Sequence, residues 1–173
     1  MNLQVKDYIG KLRDTKHERE LRLLLGKQPE EERFQFIQEL LSYDLIVGLK
    51  LAQTCLQKEQ FFEQILEQGL QTADASTLQF WLECVVPRLG MRRVIAILTQ
   101  KLETDAVAVT KALYWLPRLL PKDDKHGGLA LAKLTELTWL LRYVSSARIH
   151  AAFRMGLHEI YSFSMSYQRP LLS

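Results

Sequence analysis

Six residues in the second half of the chain have types and spacing that could do chemistry. Arg88, Arg92 and Arg93 cluster around one hairpin turn. On the next helix Lys111, Tyr114 and Arg118 fall at i, i+3 and i+7, which puts them on one stripe. Arginine forks bind carboxylate or phosphate in bidentate geometry, and tyrosine offers a flat amphipathic contact. If the two helices lie side by side, the six make one basic patch suited to an acidic protein surface. The plainer reading is that these are solubilising charges at helix ends, with Tyr114 simply packed.

Other chemistry is hard to find. The histidines are His17, His126, His150 and His158. Only His150 and His158 could share a helix face, and Arg154 between them opposes a cation, so a solvated polar stripe is the expectation. Glu30, Glu31 and Glu32 sit at a helix start, where the helix dipole alone accounts for them. The chain has no Gly-rich phosphate loop, no Cys-x-x-Cys, no His-Glu-x-x-His and no Gly-x-Ser-x-Gly. No catalytic residue, metal or cofactor is therefore expected. An enzyme here would need polar groups that converge only in three dimensions, in a deep pocket with perturbed titratable groups.

The elements that must position these residues read as helices. Apolar residues recur at three- and four-residue steps, and period-2 alternation is absent. A charged N-terminal region, residues 1–27, leads to Gly26 as a helix stop. Pro29 with three following carboxylates opens a helix whose apolar face is Phe34, Ile37, Leu40 and Leu41. Asp44 caps the next, with Leu45, Leu49, Ala52 and Leu56 inward, and Gly48 inside it implies a close helix–helix approach. Phe61, Phe62, Ile65 and Leu66 form a further face, closed by Gly69. One helix then appears twice. Asp74-Ala75 runs to Val86-Pro87-Arg88-Leu89, and Asp105-Ala106 runs to Leu116-Pro117-Arg118-Leu119, with starts 31 and prolines 30 residues apart. Each proline is expected to end its helix. Between the copies, Met91, Val94, Ile95 and Leu98 face inward. Residues 121–128, with Pro121, Gly127 and Gly128, read as a loop. A helix from Leu129 to about Tyr143 and a last one over 146–165 follow, and residues 166–173 read as a loose tail. Trp81, Trp115 and Trp139 are expected in the core.

A unit recurring at about this period is the mark of stacked helical hairpins. Over roughly residues 29–143 the layout resembles the HEAT and armadillo class of helical repeats, carried by the two Asp-Ala starts and the two Pro-Arg-Leu ends. That resemblance implies a curved helical stack that binds protein or nucleic acid on one face. The expected fold is all-α, a single domain over 1–173 built as a short right-handed superhelix of about four helical hairpins. A closed helical bundle is the alternative.

Composition and charge bound the function further. At 173 residues with 47% apolar side chains, the chain can bury a core without staples, and disorder is excluded. Cys55 and Cys84 lie in apolar runs and read as small buried hydrophobes in a reduced compartment. Charges interrupt Met1–Arg22, so no signal peptide is expected, and no stretch approaches the roughly 20 apolar residues of a membrane span. A cytoplasmic protein with no membrane partner is the expectation. The net charge of +3 divides into −5 over residues 34–83 and +4 over residues 84–121. The expected function is a non-enzymatic protein-interaction module or adaptor that meets an acidic partner. Nucleic-acid binding along the basic second half is the alternative, and a homodimer through the apolar tail residues Phe163, Met165, Tyr167, Leu171 and Leu172 stays open.

Overall fold

The computed structural model describes residues 4–8, 15–141 and 143. The chain forms two compact units, residues 1–132 and 133–173. Among the described residues every regular element is helical. A 3-10 turn at Val5–Asp7 precedes α1 (Thr15–Leu25), α2 (Glu30–Leu41), α3 (Leu45–Cys55), α4 (Glu59–Thr72), α5 (Leu78–Leu89), α6 (Met91–Lys101) and α7 (Ala106–Leu119). Residues 125–141 are helical as well. The expected last helix, the tail and the His150–His158 stripe lie outside the described residues.

Aspartates open α3 and α7 and organise the turn just ahead of α5. The Asp44 carboxylate accepts from Val47 N at 3.1 Å, and that of Asp105 from Ala108 N at 2.9 Å. Asp74 accepts from Thr77 N at 2.7 Å, one turn ahead of α5. A short carboxylate satisfies backbone donors that the first helical turn leaves unpaired. Asp44 is thus a third member of the series, 30 residues before Asp74. Asp124 does the same for Gly127 N at 2.7 Å. That cap starts a helix at residue 125, inside the stretch expected to be loop, and shortens the loop to its first residues.

In the first unit α3 packs on α1 and α5, and α5 packs on α7. α2 lies against α3, α4 against α5 and α7, and α6 against α5 and α7. Every residue expected inward on α2, α4 and α6 is buried. Phe34 of α2 stacks on Phe61 of α4 at 4.4 Å. Glu18 of α1 is buried and reaches Lys50 of α3 at 2.7 Å and Arg22 one turn on. Burial would raise its carboxyl, but those hydrogen bonds outweigh it and hold the group below the usual carboxylate range. Glu30 does more than face a dipole: its Oε1 accepts from Gln57 N at 2.5 Å and Lys58 N at 2.8 Å, tying α2 to the turn that opens α4.

Two glycines mark close approaches. A Cβ on Gly48 would sit 2.7 Å from Leu41 of α2, as the sequence implied. Gly69 does not close its helix, which continues to Thr72; a Cβ there would lie 2.7 Å from the Trp81 ring of α5. Gly90 is the whole connection between α5 and α6 and has φ 76° and ψ 153°, a conformation open to glycine alone.

The prolines do not end their helices. Pro87 and Pro117 each lie two residues inside the C-terminal end. Proline lacks the N–H that would bond four residues back, so Pro87 leaves the Glu83 carbonyl without its helical donor. Gln53 Nε2 of α3 supplies one at 3.0 Å, and Arg88 Nη2 donates to Gln53 O at 2.7 Å. The helix break is therefore mended from its neighbour. Two of the three tryptophans also differ from the expected core placement. Trp81 is buried, Trp115 half-buried and Trp139 exposed at 70%.

Two stability outcomes follow. Gly69→Ala forces a methyl into the Trp81 ring and should cost about 1–3 kcal/mol in urea unfolding, whereas Gly128→Ala meets only ordinary contact at 3.5 Å and should be neutral or stabilising. Gln53→Ala should cost about 1 kcal/mol in wild type but much less in a Pro87→Ala background, where the helix recovers its own donor to Glu83 O. Additive losses in that double-mutant cycle would rule out the repair.

Candidate interaction site on helix α7

The site begins with the turn between α4 and α5. Asp74 accepts from Thr77 N and from the hydroxyls of Ser76 and Thr77, at 2.7 to 3.0 Å, and also from Ser76 N at 2.9 Å. These donors, led by Thr77 N, pull its carboxyl down to about 2. The turn so organised offers two outward carbonyls. Lys111 Nζ of α7 donates to Ala73 O at 3.3 Å, and Trp115 Nε1 donates to Ala75 O at 2.6 Å. The two donors are one helical turn apart, which fixes the rotation of α7 about its axis.

That rotation leaves Tyr114 and Arg118 outward. Tyr114 is 62% exposed and meets Trp115 edge to face at 4.9 Å. The Arg118 guanidinium lies 4.8 Å from the Tyr114 ring and 4.7 Å from the Trp115 ring, and its Nη2 reaches the Tyr114 hydroxyl at 3.4 Å. Cation–π attraction from two rings holds the fork while leaving its edge in solvent. Val107, 67% exposed, extends the stripe one turn before Lys111.

Two of the other expected members, Arg88 and Arg93, are held elsewhere. Arg93 pairs with Glu63 of α4, Nη2 to Oε1 at 2.6 Å. Arg88 is engaged with Gln53 of α3 and lies over the Phe62 ring at 5.8 Å. Arg92 is exposed on α6. Among the described residues the direct contacts join only Tyr114, Trp115 and Arg118, with Lys111 anchored beside them. Trp115 is the member that sequence reasoning put in the core. Its position one turn after Lys111, and the need of an indole N–H for an acceptor, were the available signals.

Among the described residues no group of three His, Cys, Asp or Glu side chains converges to hold a metal. Among them too, no helix is long and apolar enough to cross a membrane. Cys84 is buried against Leu49 O at 3.5 Å, and burial pushes its thiol up to about 12, which suppresses the nucleophilic thiolate. Set against known proteins, the chain matches no family model, no curated protein and no solved structure.

The depressed Asp74 carboxyl sets a pH window. A carboxyl with a lowered folded value stabilises the fold while ionised, fully above its unfolded value of about 4 and progressively less as pH falls towards 2. The stability difference between wild type and Asp74→Ala should be constant from pH 7 down to about 4 and then shrink towards pH 2. A difference that stays flat through that range would mean that the ionised carboxylate does not organise the turn.

Proposed function

We propose that this chain is a non-enzymatic protein-interaction module, built as a short right-handed stack of helical hairpins, that binds an acidic partner surface through α7. The observation that carries the reading is the Arg118 fork held over two aromatic rings, exposed Tyr114 and half-buried Trp115, with no carboxylate paired to it among the described residues. A surface Tyr–Trp–Arg cluster beside a lysine combines the side chains that dominate binding energy at protein interfaces. The stack is supported by the aspartate series Asp44, Asp74 and Asp105 and by the succession α1, α3, α5, α7. By contrast Arg93 and Lys101 are already neutralised by Glu63 and Glu67, which narrows the basic surface available to a polyanion.

The test is a pull-down from native host lysate with wild type, a Lys111→Glu/Arg118→Glu variant and an Arg93→Glu control. One protein should be captured by the wild type and the control and lost by the double variant, whose helical circular dichroism should be unchanged. Loss of the same protein in the control would move the contact away from α7. Recovery of nucleic acid, with retention falling steeply as salt rises, would replace the reading by nucleic-acid binding.

A further inference from the structure

The helices of the first unit form two rows with different outer surfaces. α1, α3, α5 and α7 pack in succession, and α2, α4 and α6 lie behind them. Within α1–α7 the large apolar side chains left exposed are Leu23, Ile46, Phe80, Val107 and Tyr114. Every one of them is on a helix of the first row. The second row instead carries ion pairs on its outer side, Glu63 to Arg93 and Glu67 to Lys101. Exposed apolar side chains scattered singly are ordinary, but their confinement to one layer marks a contact surface.

Hydrogen bonds fix the register along the first row. Cys84 Sγ of α5 reaches Leu49 O of α3 at 3.5 Å, and Arg88 Nη2 reaches Gln53 O at 2.7 Å, partners 35 residues apart both times. α3 and α5 therefore run parallel, with Ile46 about level with Phe80 and Trp81. Lys111 and Trp115 of α7 reach carbonyls 38 and 40 residues back. Carried on into α5, that register sets Arg118 about level with Phe80. α3 is flanked by α1 and α5 and backed by α2, while α5 is flanked by α3 and α7 and backed by α4 and α6. Ile46 and Phe80, 50% and 39% exposed, thus share the side that these helices leave open. Arg118 lies against Trp115, which reaches back to the turn before α5, so the fork is on the edge of α7 nearest that helix.

Charge then selects what this face takes. Lys50 is spent on Glu18 at 2.7 Å, and Arg88 on the Gln53 carbonyl. Glu83 accepts from Gln79 Nε2 of its own helix at 2.5 Å. Arg118 has no carboxylate among the described residues. Two apolar side chains level with an open guanidinium fit a ligand that carries apolar groups and a carboxylate together. An anionic bilayer fits less well, because it is held by clusters of about four to eight cations and this face offers Arg118 and Lys111. We propose that the open side of α3, α5 and α7 docks an amphipathic, acidic segment of a partner protein, with apolar side chains on Ile46 and Phe80 and a carboxylate on the Arg118 fork. The proposal rests on the α7 reading and extends that contact across two further helices to an apolar anchor.

Random dodecapeptides displayed on phage and selected on the full wild-type chain supply the probe. Synthetic copies of the selected peptides should carry both apolar and acidic residues. Ile46→Gln/Phe80→Gln and Lys111→Glu/Arg118→Glu should each weaken their binding by about tenfold or more. Arg93→Glu, on the second row, should leave it unchanged. Circular dichroism checks each fold, and Ile46→Gln alone replaces the pair if the pair misfolds. Loss on the α7 variant with full binding to the Ile46→Gln/Phe80→Gln variant overturns the extension and leaves the α7 reading standing. Full binding to the α7 variant removes that reading and this one with it. The proposal is also overturned if no peptide is selected, or if the chain sediments with phosphatidylserine–phosphatidylcholine vesicles and the Ile46→Gln/Phe80→Gln variant does not, which would make the face a membrane contact.

Discussion

The burial of α5 is the constraint on which the rest of the first unit depends. It packs on α3, α4, α6 and α7, and Leu78, Trp81, Leu82, Cys84, Val85 and Val86 are all buried. A helix enclosed on most sides cannot leave polar groups to water, so each interruption in it must be answered by a neighbour. Pro87 exposes the Glu83 carbonyl, and Gln53 answers it. Trp81 needs room, and Gly69 gives it by having no side chain. Cys84 sits in the same environment as an inert apolar group, its thiol held protonated by burial.

Enclosing α5 also fixes the edge on which the proposed contact lies. Its N-terminal turn is shaped by Asp74, and the carbonyls on either side of that aspartate receive Lys111 and Trp115. α7 is thereby clamped in rotation as well as position. Binding residues on a rigid helix, with rotamers locked by their own contacts, lose little freedom when a partner arrives. The stacking of Arg118 on two rings serves the same end.

The α7 cluster offers charge and aromatic area, which favour steering and hot-spot contact with an acidic face. On α4, by contrast, Glu63 and Glu67 are already paired with Arg93 and Lys101 of α6.

The sequence by itself determined that the chain is helical, where α3 and α7 begin, and which sides of α2, α4 and α6 are apolar. Those features are local: Asp44 and Asp105 cap within three residues, and the inward sets of α2, α4 and α6 follow from a period of 3.6. Tertiary structure alone decided which surface residues act together. Arg93 and Arg118 look alike in the chain, yet one meets Glu63 thirty residues away and the other two rings on its own helix. Trp115 looks like core until its indole finds a carbonyl forty residues back, and Gly69 looks like a helix stop until Trp81 lies over it. Pairings at such separation depend on how one helix rotates against another, and a single helix's periodicity carries no record of that angle.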